Sequence, residues 1–262
     1  MKTEFPAMKA VVVVVPIRNE EELLGRCIAA LAQAVEHNST TATGNVQVAV
    51  TLVLDSCTDT SAVTAHASAL DVLSVDFNNV GRARSAGIDR ALQLLEPTDL
   101  TRVWIANTDA DSAVPPNWLS CQLALARIGV EVMIGTVRPD PKDLDSSQRA
   151  AWAATHVPGE ANGHVHGANL GCTADAYRAV GGFRPLSEHE DVRLVEDLRA
   201  ASARCVATDD CWVLTSGRPI GRTAGGYAGY IRQQLTAAAA QRPVQVAYSQ
   251  AGRGAILSGS QP

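Results

Sequence analysis

The chain has 262 residues, a formal net charge of −5, 46% hydrophobic residues and only 4% aromatics. That is enough aliphatic material for one large α/β core. It offers no Lys/Arg cluster with exposed aromatics for a nucleic acid, and no apolar run near the ~20 residues of a membrane span. No secretory signal is visible at the start. The six cysteines form no Cys-x-x-Cys pair and no zinc-type spacing with histidine, which points to reduced thiols in a cytosolic protein.

In chain order, Met1 to Lys9 reads as a leader. The β-branched run Ala10 to Val15 predicts a strand buried on both faces, closed by Pro16. Asn19 is the expected N-cap of a helix carrying Leu24, Ile28 and Leu31, and Glu20, Glu21 and Glu22 suit its positive end. His37 to Asn45 reads as a loop. Val46 to Leu54 is a second strand, ending at Asp55. An Ala-rich helix follows to about Ala69, then a short strand over Val72 to Phe77. Asn78 to Arg84 leads into a helix that reaches Leu95.

The fourth strand, Val103 to Thr108, ends in Asp109-Ala110-Asp111. In an extended chain, residues two apart share a face, so both carboxylates can reach one hard cation. Pro115-Pro116 opens the next helix, and Val130 to Val137 is a fifth strand. Beyond a Pro/Asp linker, Ser146 to His156 reads as helix, His164 to Gly171 as a closely packed strand and Ala174 to Val180 as a short helix. Glu190 to about Ser202 reads as another helix. Cys205 to Val206 and Trp212 to Leu214 are two short strands, Thr215 to Gly226 is a mobile loop, and a weakly ordered tail starts at Arg242.

Strand and helix alternate, which predicts a mostly parallel sheet covered on both faces. Such sheets bind ligands beyond the carboxyl ends of their strands. Asn19, Asp55, Gly81, Arg84, Asp109 and Asp111 all fall just past predicted strand ends, as one nucleotide-sized site would require.

Four ordered motifs carry a family likeness. They are Val14-Val15-Pro16-Ile17-Arg18-Asn19-Glu20-Glu21, Val53-Leu54-Asp55-Ser56-Cys57-Thr58-Asp59, Asn107-Thr108-Asp109-Ala110-Asp111, and Gly181-Gly182-Phe183 followed by Glu190-Asp191. Each is short; their order and spacing carry the likeness. Over about Val11 to Arg222 the chain resembles a family 2 glycosyltransferase of the GT-A fold.

The resemblance implies a mostly parallel central sheet flanked by helices, with a Rossmann-like nucleotide-binding half at 10–138. A smaller acceptor half would span 139–222, after a leader at 1–9 and before a partly disordered extension at 223–262. It implies an inverting hexosyl transfer from a UDP- or GDP-sugar to an acceptor hydroxyl of unknown identity. Pro16, Asn19, Glu20 and Asp55 would surround the nucleoside, with Gly81 and Arg84 near the ribose and diphosphate. Asp111, then Asp109, would hold Mn²⁺ or Mg²⁺. Asp191 would be the general base, with Glu190 beside it, and Arg218 and Arg222 would meet the diphosphate.

His164, His166 and His189 stay without an assigned role, and Trp118 and Trp152 read as core or acceptor-facing. A bacterial, cytoplasmic protein is expected, with peripheral membrane association and a homodimer left open. The competing readings are a nucleotidyltransferase on a related sheet and a non-catalytic sugar-nucleotide-binding protein. The glycine-free, acidic loop after the first strand speaks against the former.

Overall fold

The computed structural model describes residues 5–41, 46–95, 99–186, 188–221 and 227–231. Its frame is one seven-stranded sheet: β1 (Ala10–Ile17), β2 (Gln47–Asp55), β3 (Asp71–Val75), β4 (Val103–Asn107), β5 (Val132–Pro139), β6 (Leu170–Thr173) and β7 (Cys205–Thr215). The order across the sheet is β3-β2-β1-β4-β6-β5-β7. All neighbouring pairs are parallel except those of β6, which runs antiparallel to β4 and β5.

Val11 to Val15 are fully buried, as a strand covered on both faces requires. Val11, Val13 and Val15 pack with α1 (Leu24–Thr41) and α4 (Trp118–Arg127), through Leu24, Leu31, Trp118 and Leu119. Val12 and Val14 pack on the other face with α3 (Val80–Leu94) and α7 (Glu190–Ala200), through Ile88, Ala91, Leu194 and Leu198. Each such aliphatic side chain contributes about 1.5–3 kcal/mol by leaving water. Close approach of α3 depends on Gly87, where a Cβ would lie 2.6 Å from the Val53 side chain. Shorter helices complete the layers: α2 (Ser61–His66), α5 (Ser146–Thr155), α6 (Ala174–Ala179) and α8 (Tyr227–Tyr230).

The chain leaves β1 toward β2 and β3, then returns to place β4 on the other side of β1. That reversal opens a crevice past the carboxyl ends of β1 and β4, where sheets of this kind take ligands. Antiparallel β6 starts at the same edge, because Leu170 pairs with Asn107. The segment preceding β6 is thereby delivered to the crevice.

Several local expectations are corrected. Pro16 does not close β1 but pairs with Val53 inside it. Pairing of β1 with β4 ends near Val14, whose carbonyl accepts the Thr108 N–H. The amide that Pro16 lacks would point to that same vacated side, so no ladder bond is lost. Helix α1 starts at Leu24, so Asn19 is not its N-cap, and it continues to Thr41 where a loop is predicted. Ser39, Thr40 and Thr41 donate back to the Glu36 and His37 carbonyls, which lets these weak helix formers continue the helix.

His164 to His166 are not strand; a single 3₁₀ turn at Gly167–Asn169 precedes β6. The two short strands predicted after Ala203 are one, β7, with an irregularity opposite Gly135 to Val137. Buried Asp209 sits at that point and pairs with Arg138 at 2.5 Å, which makes a polar Asp-Asp interruption compatible with a continuous strand. Buried Asn169 ties the second half to the sheet. Its amide donates to the carbonyls of Thr136 (2.9 Å) and Cys211 (3.0 Å), and its oxygen accepts from the Trp118 indole (2.9 Å). Trp118 is therefore core.

Candidate active site

A cleft of about 860 Å³ lies at the carboxyl ends of the strands. The loops after β1 and β2 form one end and clamp each other. Asn19 accepts the Thr58 N–H (2.8 Å), Glu21 accepts the Thr60 N–H and hydroxyl (3.0 and 2.7 Å), and the Glu20 N–H donates to Ser61 (2.8 Å). Glu21 through its side chain and Glu20 through its backbone thus tie the two loops together. Pro16, Glu20 and Asp55 line the cleft, whereas Asn19 turns toward the neighbouring loop.

Asp55 is buried and accepts the N–H groups of Phe77 (2.7 Å), Asn78 (2.8 Å) and Asn79 (2.9 Å). One carboxylate so fixes the whole β3–α3 turn. A carboxylate has about four acceptor positions, so Oδ2, which takes one of these amides, has a further acceptor position. Asn79 caps α3 by accepting the Arg82 N–H at 2.9 Å.

Asp109 and Asp111 do not lie on extended chain as expected. They sit on a turn after β4 in which the Ser112 N–H donates to the Asp109 carbonyl. Both nevertheless line the cleft. Asp109 pairs with the buried Arg84 guanidinium at 2.5 Å, and Arg84 also meets Glu190 at 3.3 Å. Asp111 accepts from the hydroxyls of Ser112 and Thr215 and meets Arg218 at 3.1 Å. Arg218 makes a two-pronged pair with Glu20 at 2.5 and 2.7 Å. Burial and the neighbouring Asp109 charge push the Asp111 carboxyl up to about 6, against the pull of Arg218. Arg222 lies outside the described residues.

The opposite wall is the first turn of α7. The Asp191 carboxylate accepts the Gly167 N–H (2.6 Å) and the Val192 N–H (2.8 Å) and borders the cleft. Glu190 is buried against Arg84, and its carboxyl is pushed up by that burial. His189, at φ 60°, turns the chain into α7. Gly181 and Gly182 take left-handed backbone, turning the chain so that the Phe183 N–H donates to Tyr177 and its ring lies 5.7 Å from Arg84. The Gly-Gly-Phe motif therefore shelters the buried cation. Gly81 has a packing role: a Cβ there would run into the Arg184 carbonyl and Glu190.

Sequence reasoning missed the backbone strain and one corner of the cleft. Asn19, Ser56, Asn78 and His189 all hold positive φ around the rim. Strain of this kind collects at functional sites, at a cost of about 1–3 kcal/mol each. The corner is formed by His156, His164, His166, Tyr227 and Tyr230, brought together from α5, the segment before β6, and α8. Only their placement in three dimensions reveals it.

Two adjacent carboxylates, one buried beside the other, suit a hard divalent cation that leaves the rest of its coordination to phosphate and water. Among the described residues no group of three or more His, Cys, Asp or Glu is arranged to hold a metal alone. The donor set fits a cation shared with a substrate. No helix among the described residues is long and apolar enough to cross a membrane.

A family model described as Glycosyl transferase family 2 matches residues 12–179. The comparison with curated proteins found no match. Among solved structures, Staphylococcus aureus TarS 1-349 in complex with UDP aligns with a TM-score of 0.57 at 14% identity, covering 80% of this chain and 61% of that one. The longer TarS chain is spanned to 37%. The mannosyltransferase PcManGT from Pyrobaculum calidifontis, in complex with GDP-Man and Mn²⁺, aligns at 0.52 with 18% identity, covering 81% and 58%. Glucosyl-3-phosphoglycerate synthase from Mycobacterium tuberculosis aligns at 0.50 with 14% identity, covering 88% and 79%. With this sheet, this cleft and a family match over well more than half its length, the chain belongs to glycosyl transferase family 2 and has the GT-A fold.

Proposed function

We propose that this chain moves a sugar from a UDP- or GDP-sugar to an acceptor hydroxyl, inverting the anomeric carbon, with Asp191 as general base. One observation carries the reading. Buried Arg84 bonds both Asp109 on the β4 turn and Glu190 on α7, which holds Asp111 and Asp191 on facing walls of one cleft. Asp191 takes the acceptor proton as the acceptor oxygen forms its bond to the anomeric carbon. The bond from that carbon to the diphosphate breaks, and its electron pair leaves on the diphosphate oxygen.

Asp111 and Asp109 would hold Mn²⁺ or Mg²⁺, which neutralises charge on the departing diphosphate. The cleft lining is otherwise unfavourable to that group: Glu20, Asp55, Asp109, Asp111, Glu188, Glu190 and Asp191 outnumber Arg18, Arg84, Arg199 and Arg218. Arg218 suits a diphosphate by its two-pronged geometry and lies beside Asp111. Pro16, Glu20 and the free Oδ2 position of Asp55 face the nucleoside. In this reading residues 10–138 serve the donor, and 139–222 serve the acceptor and lend Arg218 to the donor. The complexes of TarS with UDP and of PcManGT with GDP-Man and Mn²⁺ support the donor class and the metal. The family match favours sugar transfer over nucleotidyl transfer.

Calorimetric titration with UDP and GDP, with and without Mn²⁺, tests the reading. One nucleotide is expected to bind tightly only with metal, and Asp111→Asn is expected to cut that affinity at least tenfold. No binding of either nucleotide by a folded sample would overturn it. The anomeric configuration of the product, read by NMR, tests inversion.

A further inference from the structure

Aromatic side chains are scarce in this chain: four tryptophans, four tyrosines and three phenylalanines. Three of them, Trp152, Tyr227 and Tyr230, gather at one corner of the cleft with three of the six histidines. Trp152 stacks on His156 with ring centroids 4.2 Å apart, and Tyr227 stacks on Tyr230 at 5.6 Å. His166 meets Tyr227 edge-on at 5.6 Å, and His164 lies 6.2 Å from His166. Behind them Leu144, Ala151 and Ile231 form a small apolar core of their own. The corner is pinned from outside, where buried Asp209 accepts the Gly159 N–H at 2.8 Å.

The corner adjoins the chemistry. His166 precedes Gly167, whose amide holds the Asp191 carboxylate. Its lining of His156, His164, Val165, His166, Tyr227 and Tyr230 carries no guanidinium or ammonium group. Two of the described cations near it are committed elsewhere: Arg138 to Asp209 and the Trp212 ring, Arg218 to Glu20 and Asp111. Burial holds the His156 and His166 imidazoles below the ordinary histidine range, so they stand neutral near pH 7. A phosphate or carboxylate entering here would lose water and find no charged donor in exchange among the described residues of the corner. A ring with an apolar face would find aromatic partners, and neutral imidazoles could bond its hydroxyls. Val157 and Ile220, 59% and 75% exposed, continue the apolar character outward from His156 and Gly221.

We infer that this corner is the acceptor subsite, and that it takes an uncharged, hydroxyl-bearing ring stacked against Tyr227 and Tyr230. The inference rests on the transferase reading for the name acceptor, while its binding chemistry stands by itself. The ring face can come from a sugar or from an aryl group attached to one.

Ligand-detected NMR and calorimetry on the full chain separate these cases, with phenyl β-D-glucopyranoside, methyl β-D-glucopyranoside and glucose 6-phosphate as probes. Both glucosides are expected to bind at least tenfold more tightly than glucose 6-phosphate. Phenyl well above methyl identifies an aryl face; near-equal affinities identify the sugar face. Tyr230→Ala is expected to weaken the glucosides about tenfold, with Tyr230→Phe restoring them, which a loss of fold alone would not reproduce. Tighter binding of glucose 6-phosphate, no binding of either glucoside, or indifference to Tyr230→Ala would overturn the inference. UDP and GDP titrated into the same samples keep the two readings apart. Glucoside binding without nucleotide binding leaves the subsite and removes the transferase assignment; the converse removes the subsite alone.

Discussion

On the β1–β4 side of the cleft, Arg84 and Arg218 tie Glu20, Asp109, Asp111 and Glu190 into an ion-paired floor. Across from it, His164, His166, Tyr227 and Tyr230 meet ring to ring, and His156 stacks on Trp152. In the proposed reading the two sides would hold their ligands by different physics. Fixed charges orient a diphosphate and its cation without reorganising. Stacked rings offer area and shape, and tolerate a broader choice of partner. The floor's Glu20, Asp109 and Asp111 follow the adjacent parallel strands β1 and β4, whereas the corner depends on an antiparallel strand and on short helices far apart in sequence.

Asp191 lies where the two sides meet, and its removal should have the largest effect. Asp191→Asn keeps the shape and the Gly167 contact but cannot take a proton. Turnover should fall by about 10²–10⁴-fold with metal-dependent nucleotide affinity retained. Near-normal turnover would place the base elsewhere on α7.

Arg84→Met should break the floor itself. It leaves Glu190 buried without its cation, for about 3–5 kcal/mol of stability. Urea unfolding would register this, and Arg84→Met combined with Glu190→Gln should recover part of the loss. An unchanged midpoint in the single variant would mean the buried pair does not hold the floor together.

Asn169→Ala should loosen the attachment of the corner to the sheet at about 1–3 kcal/mol, since the Trp118 indole and two carbonyls lose a partner. The floor should respond less, with acceptor KM rising more than nucleotide affinity falls. Equal effects on both would show the two sides to be one cooperative unit.

The smallest effect is a pH slope. Burial lowers the His166 imidazole from 6.5 to about 4, so the unfolded chain takes up that proton first as pH falls. Stability from this group is present above pH 6.5 and lost as pH drops toward 4. His166→Asn should flatten that part of the stability curve, read as urea midpoints at pH 7 and 4.5. An identical slope in both proteins would show His166 to be solvated.

The frame of this protein is legible from one dimension because it is periodic. The Val11–Val15 run announces a strand buried on both faces, and strand–helix alternation announces the parallel part of the sheet. Asp55, Asp109 and Asp111 were also legible as polar residues just past predicted strand ends, and Asp191 through its family-like motif at a helix start; all four line the cleft. Their electrostatic partners were not. Arg218 reaches Glu20 across 198 positions of chain, and Arg84 reaches Glu190 across 106. No local pattern encodes such a pairing.

Where prediction of structure failed, a non-local contact had overridden a local preference. Pro16 stays in β1 because its neighbour has already left, Asn19 turns to another loop instead of capping α1, and the Asp209–Arg138 pair carries β7 through a polar break. By itself the sequence determined β1 to β5 and the helices between them, the parallel half of the sheet and the acidic pair after β4, since these follow from hydrophobic period and residue chemistry within a few positions. The antiparallel placement of β6, the buried arginine that joins the two walls, and the aromatic corner were decided only in the tertiary structure, because each depends on which distant segments exclude water together.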